Sequence, residues 1–193
     1  MIPAFARGVR FGCTACGKCC TKLKGDLPLT HDDVVRVSAH LKLSVRAFVA
    51  KYCRHVVDVV RTSGRTVRMP SIELRVPPSG RCVFLDDTDR CSIHEAKPFI
   101  CSQTPFMAFV AEGSPGVWDE ARSYCPGVGQ GEWFSRKAID RLLQEERDVE
   151  QGDHERLRTH RGSLARVFGC RLPRPVVRRW NAPAHRTVVK ERH

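Results

Sequence analysis

Four cysteines within eight residues are the most constraining feature of this sequence. They form the pattern Cys13-x-x-Cys16-x-x-Cys19-Cys20, and four more cysteines lie far downstream. Thiolate sulfur is a soft, charged donor, and four thiolates satisfy a tetrahedral zinc or iron ion. The pattern therefore predicts a metal centre that gathers distant segments of the chain. The candidate metal ligands are Cys13, Cys16, Cys19, Cys20, Cys82, Cys91, Cys101 and Cys125.

Ten cysteines in 193 residues fit either disulfides or metal ligands, and the cellular compartment decides between them. The first residues, MIPAFARGVRFGC, contain neither an apolar run of seven residues nor a small-residue cleavage site, which argues against a signal peptide. The sequence has no stretch of 18 consecutive apolar residues, which argues against a membrane-spanning helix. We therefore expect a cytoplasmic protein with no membrane association, in which reduced thiols bind metal rather than form disulfides.

The spacing leaves open which cysteines share an ion. Cys19 and Cys20 are adjacent, so their side chains are predicted to point in different directions, which argues against four N-terminal ligands on one ion. Two four-sulfur sites that mix N-terminal and downstream cysteines are one alternative, and inert buried thiols within the set are another. Cys53 is predicted to belong to the core, and Cys170 lies outside the pattern. His94 is predicted to be a surface residue rather than a ligand.

Two local iron–sulfur signatures fail in this sequence. The bacterial ferredoxin run needs a cysteine and then a proline at the positions of Leu23 and Lys24. A radical S-adenosylmethionine loop that uses Cys16 and Cys20 also needs a cysteine at position 23. Because thiolates accept both metals, the predicted cofactor is zinc or iron, with an iron–sulfur cluster as an open alternative.

Around the cysteines the sequence predicts an α+β fold. We expect a small single domain with irregular metal-centred loops, a helical hairpin, short β-hairpins and a C-terminal helix. Thr30 and Asp33 form the pattern of a capping box, and Ser44 is typical of the N-cap of a second helix. Ser135 is predicted to cap a longer helix that runs to about residue 150.

Two β-hairpins are expected between the predicted helices. Residues 56–60 and 66–69 are rich in valine and flank a turn signal at 62–65. Residues 82–85 and 91–94 flank the acidic turn signal at 86–89, which predicts a second hairpin. The glycine-rich residues 125–131 are predicted to form a loop.

The positive charge is concentrated near the C-terminus. The net charge is +12, and residues 152–193 hold eleven Lys and Arg residues against three acidic residues, which gives +8. We interpret residues 1–151 as the cysteine-cluster metal-binding domain and residues 152–193 as a basic C-terminal helix and extended tail. From residue 171 onward there are too few apolar side chains to pack well, so an extended or disordered segment is expected.

Several motifs in a fixed order surround the cysteines. They are Phe11-Gly12-Cys13-Thr14-Ala15-Cys16-Gly17-Lys18-Cys19-Cys20, Leu29-Thr30-x-x-Asp33, Gly80-x-Cys82-x-Phe84-Leu85, Cys91-x-Ile93-His94-x-x-Lys97-Pro98-x-x-Cys101, Pro105-Phe106 and Cys125-Pro126-Gly127. On these residues the chain resembles the YkgJ-type cysteine-cluster family, which carries a zinc- or iron-chelating CxxCxxCC domain, over about residues 11–131. The family usually has arginine where this chain has Lys97 and Ser102, which argues against bidentate anion contacts there.

The resemblance implies metal binding without a fixed reaction. We therefore interpret the chain as a cysteine-cluster protein that holds zinc, iron or an iron–sulfur centre through up to eight thiolates. One alternative is a protein-modifying enzyme related to the flagellin lysine N-methylases, which are longer chains. Another is a zinc-stabilised nucleic-acid-binding module that uses the basic tail and Trp180. The sequence favours neither alternative, and it identifies no catalytic residue and no protein partner.

Overall fold

A computed structural model describes residues 1–21, 27–62, 65–113 and 115–181, and it has a mixed α+β architecture. The helices are α1 (Pro3–Arg7), α2 (Lys18–Thr21), α3 (His31–His40), α4 (Val45–Tyr52), α5 (Phe99–Gln103), α6 (Ala108–Ala111), α7 (Pro115–Tyr124), α8 (Arg136–Thr159) and α9 (Leu164–Val167), with a 3₁₀ turn at His94–Ala96. The strands are β1 (Val9–Phe11), β2 (Pro28–Leu29), β3 (Cys53–Thr62), β4 (Arg65–Leu74), β5 (Glu132–Phe134) and β6 (Val176–Asn181). Across these described ranges, no helix combines the length and the apolar character that a membrane crossing requires.

The predicted helical hairpin is confirmed as α3 and α4. The Thr30 hydroxyl accepts a hydrogen bond from the Asp33 amide, and the Asp33 carboxylate accepts one from the Thr30 amide, which completes the capping box. Ser44 caps α4 in the same way through the amide three residues later. Val37 on α3 and Phe48 on α4 are fully buried, so the two helices pack against the body through their apolar faces.

The first predicted β-hairpin is confirmed and is longer than expected. β3 and β4 pair antiparallel over ten residues each, from Cys53 opposite Leu74 to Thr62 opposite Arg65. Residues 63 and 64 of the predicted turn lie outside the described residues. The short β2 pairs with β4, and β6 pairs parallel with β3, which gives the strand order β2-β4-β3-β6. A second, two-stranded sheet joins β1 to β5.

The second predicted hairpin is replaced by a tight turn with one isolated bridge between Leu85 and Cys91. The Asp86 carboxylate accepts hydrogen bonds from the amides of Thr88 and Arg90, which closes the turn immediately after the bridge. On the first side a turn at residues 83–84 occupies the place of the strand, with the Leu85 amide donating to the Cys82 carbonyl at 3.1 Å. On the second side the 3₁₀ turn begins at residue 94, so too few residues remain for a regular strand.

Helix α8 begins at the predicted cap, Ser135, but continues to Thr159 rather than to about residue 150. Two contacts hold the extra turns against the start of α3. The Asp153 carboxylate accepts a hydrogen bond from the His31 amide at 3.1 Å, and Arg156 pairs with Asp32 at 3.0 Å. The helix therefore runs without interruption across residues 151 and 152.

The start of the predicted extended tail forms strand β6, which is an edge strand of the large sheet. Its anchor is charge rather than apolar area: Arg178 contacts Asp58 at 2.8 Å and Glu73 at 2.7 Å. The Trp180 indole donates to Asp58 at 2.7 Å. Arg54 approaches Glu73 at 2.8 Å, so the fully buried Glu73 is compensated by two guanidinium groups. The part of the tail beyond residue 181 lies outside the described residues.

We expect acid to loosen β6. Burial works to raise the pKa of Asp58, but the hydrogen bonds from Arg178 and Trp180 outweigh it, and the pKa is lowered. A carboxylate whose pKa is lower in the folded state than in the unfolded state stabilises the folded protein. This contribution is complete above the unfolded-state pKa of about 3.9 and is lost as the pH falls through the folded-state pKa. Hydrogen-exchange protection factors of residues 176–181 should therefore drop below about pH 4. Asp58→Asn should lower protection at neutral pH and remove most of the further drop, and an unchanged drop would contradict this explanation.

The described core has two parts that meet at α5. One part packs the helical hairpin against the large sheet and includes Cys53, which is fully buried as predicted. The other part surrounds Phe5, Trp118 and Ile139. Ile100, in α5, packs against both parts. The segment that carries Cys101 is thus fixed between them.

Candidate metal centre

The N-terminal cysteine loop is held against two other loops at glycine residues. Gly17 has a positive φ of 65°, and a Cβ there would collide with the Asp89 carbonyl oxygen. Position 17 therefore requires glycine, and the N-terminal loop packs closely against the turn at 86–90. The Gly17 carbonyl accepts a hydrogen bond from the Cys20 amide at 2.8 Å. At the other end of the loop, the Gly12 amide donates to the Gly127 carbonyl at 3.1 Å.

The sulfur atoms of Cys19 and Cys20 lie 3.6 Å apart, which corrects the prediction that these side chains point in different directions. Both residues lie in the one-turn helix α2, where successive side chains leave the axis about 100° apart, and this angle allows the two sulfurs to meet. Two sulfurs on one tetrahedral zinc ion, each about 2.3 Å from it, are separated by about 3.8 Å. The observed pair therefore has nearly the separation that a shared ion requires.

The hydrogen bond between the two thiols separates their pKa values. The hydrogen bond with Cys20 is the largest cause that lowers the pKa of Cys19, to about 7. The same hydrogen bond, followed by burial, raises the pKa of Cys20. Since the thiolate is the form that binds a metal, the lowered pKa favours Cys19 as a ligand near neutral pH.

The turn that carries Cys82 and Cys91 lies directly against α2. The Cys82 amide donates to the Cys20 carbonyl at 2.8 Å, which joins two segments more than sixty residues apart. Burial raises the pKa of Cys82, and the charges of Cys91 and Cys19 act in the same direction. Burial also raises the pKa of Cys91, again with a contribution from Cys19. These electrostatic effects require that the thiols lie close to one another.

Helix α5 brings Cys101 to the same group. Burial raises the pKa of the Cys101 thiol to about 12, and the charge of Cys82 is the next cause. The charges of Cys19 and Cys91 add to this effect. Cys101 in turn contributes to the raised pKa of Cys20. Five thiols from three separate segments are thus in electrostatic contact.

Cys125 approaches the N-terminal loop from the end of α7. Burial raises the pKa of Cys125, and the charges of Cys16 and Cys19 contribute. Cys13 is exposed, but it follows Gly12, which is hydrogen-bonded to Gly127 in the Cys125 loop. Cys19 therefore interacts with all four downstream cysteines.

The thiols approach one another without forming a finished metal site. In the described ranges, no three His, Cys, Asp or Glu side chains converge closely enough to hold a metal ion. The chemistry of the donors nevertheless fits zinc or iron, since every candidate is a thiol and one pair has nearly the required sulfur separation.

The buried Asp33 links α3 to the helix that carries Cys101, a role that the sequence pattern did not reveal. Its side chain is only 1% exposed. Besides closing the capping box, its carboxylate accepts a hydrogen bond from the Phe99 amide at 2.8 Å, at the first residue of α5. The same carboxylate pairs with Arg36, which also donates to the Lys97 carbonyl at 3.0 Å. One carboxylate therefore caps two helices.

Lys97 is a second residue near the thiols that the cysteine pattern does not indicate. Its charge is among the causes that lower the pKa of Cys19, and it partly offsets the raised pKa of Cys91. A cation at this place offsets thiolate charge. Its signal in the sequence was the replacement of the usual arginine of the family by lysine at this position.

The residues predicted to be bystanders remain outside the thiol group. His94 is exposed, as expected for a surface residue. Burial raises the pKa of Cys53 to about 12, and the charge of Cys170 contributes to it. Cys170 therefore acts electrostatically on Cys53. All ten cysteines are free thiols.

Gly17→Ala should cost more than a matched change at a glycine with similar backbone geometry. Gly162 has a φ of 70°, but a Cβ there meets nothing within 4 Å, so Gly162→Ala isolates the backbone strain. We expect Gly162→Ala to cost about 1–2 kcal/mol of unfolding free energy. Gly17→Ala should cost about 1–3 kcal/mol more, because the turn at Asp89 must move. Urea unfolding of both variants measures the difference, and equal losses would show that the Gly17–Asp89 approach is unimportant.

Comparison with known proteins agrees with this thiol-rich centre. A family model described as "Putative zinc- or iron-chelating domain", CxxCxxCC, matches residues 12–126. The uncharacterized protein MJ0661 of Methanocaldococcus jannaschii is 25% identical over 137 residues, which span 68% of this chain and 65% of that relative. No solved structure matches the chain. Because the family model covers more than half of the sequence and includes its cysteine motif, the chain belongs to the CxxCxxCC family of cysteine-cluster domains.

Proposed function

We propose that this protein chelates zinc or iron through up to eight thiolates. The observation that carries the proposal is that cysteine-bearing segments distant in sequence lie together, with the Cys82 amide hydrogen-bonded to the Cys20 carbonyl beside the Cys19 and Cys20 sulfurs, which are 3.6 Å apart. Thiolates are the ligands that zinc and iron–sulfur centres share, so the donor set accepts either metal. The family description supports the same chemistry.

The centre is proposed to be continuous, with Cys19 at its middle. One group contains Cys19 together with Cys20, Cys82, Cys91 and Cys101, and the other contains Cys13, Cys16 and Cys125. The electrostatic link from Cys19 to Cys125 as well as to Cys101 supports a connection between the groups. Such an arrangement holds one or more ions and crosslinks the N-terminal loop, the turn at 82–91, α5 and the end of α7.

The proposed setting is the reducing cytoplasm. All ten cysteines are free thiols, and a chelating centre made of thiolates requires that they stay reduced. We propose residues 1–151 as the metal-binding unit and residues 152–193 as its basic extension. Within this unit, bound metal stabilises the folded state, because the separate loops offer a preformed site only when they are folded together.

Elemental analysis and a visible spectrum of anaerobically purified protein test the proposal. We expect at least about one zinc or iron ion per chain. Zinc would leave the sample colourless, whereas an iron–sulfur centre would colour it brown and absorb visible light. Cys170→Ser serves as the control and should retain the metal, because Cys170 lies outside the thiol group. A folded, metal-free protein that binds neither zinc nor iron on reconstitution would refute the proposal.

A further inference from the structure

The large sheet gathers three arginines from three strands onto one face. In the register, Arg68 on β4 and Arg179 on β6 both lie beside Val59 on β3, and Arg61 lies two residues further along β3. Cross-strand neighbours and residues two apart share a face of a sheet, so all three arginines belong to the same side. We call Arg61, Arg68 and Arg179 the arginine face.

The arginine face presents unneutralised charge. Strands lie about 4.8 Å apart, which puts Arg68 and Arg179 about 10 Å apart across β3, with Arg61 about 7 Å further along. All three residues are exposed. No ion pair joins any of them to another residue in the part of the chain that the structure describes. Arg178, on the opposite face, instead pairs with Asp58 and Glu73.

The rest of this face argues against a protein or a lipid as its partner. The neighbouring side chains that share it in the same strands are Val57, Val59, Thr66, Pro70 and Val177. None is acidic and none is aromatic, whereas protein interfaces centre on large, buried apolar side chains. Val177 is 39% exposed on this face, whereas Trp180, Val176, Val67 and Met69 expose their apolar side chains on the opposite face. The arginine face thus combines three guanidinium groups with small apolar side chains and no acidic or aromatic residue, which fits a polyanion whose phosphates are spaced along a chain.

The third strand of this surface lies outside the family domain. The family match ends at residue 126, and β6 spans Val176–Asn181 within the segment that holds +8 of the net charge of +12. The buried network around Glu73 fixes this strand beside β3, and so fixes Arg179 beside the hairpin. The arginine face is therefore built jointly by the family hairpin and by the C-terminal extension.

We propose that the arginine face binds nucleic acid through its phosphate backbone. Guanidinium groups bind phosphate oxygens with two parallel hydrogen bonds, and three of them on a rigid sheet contact about three phosphates. The face offers no side chain placed to read base edges, so binding is independent of sequence. This role does not depend on the metal, because the face lies on the sheet rather than among the thiols.

Fluorescence anisotropy with a labelled DNA duplex of about 20 base pairs tests the proposal, using the full-length, metal-loaded protein. The triple variant Arg61→Gln, Arg68→Gln, Arg179→Gln should weaken binding about tenfold or more at low salt. It should also lower the slope of log K against log salt by about 2.7, which is 0.9 for each of three lost phosphate contacts. The corresponding triple Arg→Lys variant keeps the charge and should retain most of the binding.

A matched charge change provides the control. Arg141, Arg158 and Arg166 are exposed residues on α8 and α9, and their joint change to glutamine removes the same charge. This control should change the salt slope by less than about 1. Equal effects in the two glutamine triples, or wild-type binding to polyglutamate as tight as to the duplex, would overturn the proposal. The metal content of each sample, measured in parallel, separates this outcome from a failure of metal binding.

Discussion

Replacing Cys19 and Cys20 together by serine is expected to remove most of the bound metal and to lower the free energy of unfolding of the metal-loaded protein by about 4 kcal/mol. This is the stabilisation that a ligand provides at about a thousand times its dissociation constant. The effect is large because the pair has nearly the separation that one ion requires. In addition, the charge of Cys19 contributes to the raised pKa values of Cys82, Cys91, Cys101 and Cys125. Metal analysis and urea unfolding measure the two losses.

The matched control for this prediction is Cys170→Ser together with Cys53→Ser. These thiols lie outside the centre, so the double variant should keep its full metal content, although the buried Cys53 makes some loss of stability expected. The contrast in metal content therefore decides the prediction. If the Cys19 and Cys20 variant retained a full complement of tightly bound metal, this pair would not be part of the centre.

Asp33→Ala is expected to lower the free energy of unfolding by about 3–5 kcal/mol. The change leaves the amides of Thr30 and Phe99 without the carboxylate that accepts their hydrogen bonds at 3.0 and 2.8 Å. It also removes the ion pair with Arg36. Since Phe99 begins the helix that carries Cys101, metal affinity should fall as well.

The adjacent Asp32 provides a close control. Its side chain is 73% exposed, and Asp32→Ala should cost less than about 1 kcal/mol and leave metal affinity unchanged. Asp33→Asn keeps the shape and one acceptor oxygen, so it should fall between the two alanine variants. Equal losses for Asp32→Ala and Asp33→Ala would show that the Asp33 carboxylate does not position α5.

Local patterns in the sequence predicted the elements that local interactions determine. The capping box at Thr30 and Asp33 and the cap at Ser44 each satisfy amides within three residues, so their residue types were sufficient to place two helices. The valine-rich strands on either side of residues 62–65 predicted the β3–β4 hairpin for the same reason.

Contacts between distant residues were beyond the reach of these patterns. The Asp33 carboxylate meets the Phe99 amide 66 residues later, and Arg178 meets Asp58 across 120 residues. Nothing local to Val176–Asn181 predicts a parallel strand, because its partner β3 and the buried Glu73 lie in another part of the chain. The close approach of the Cys19 and Cys20 sulfurs was missed because side-chain rotation, rather than sequence separation, brings them together.

Cysteine alkylation followed by mass spectrometry tests the central claim, that thiolates distant in sequence share a metal centre. The labelling of each cysteine is compared between metal-loaded and metal-free protein under folded, anaerobic conditions, with Cys170 as the internal reference. We expect metal to protect Cys82, Cys91, Cys101 and Cys125 together with the N-terminal cysteines, while Cys170 reacts equally in both states. If metal protected only residues 13–20 and left the downstream four as reactive as in the metal-free protein, the shared centre would be disproved.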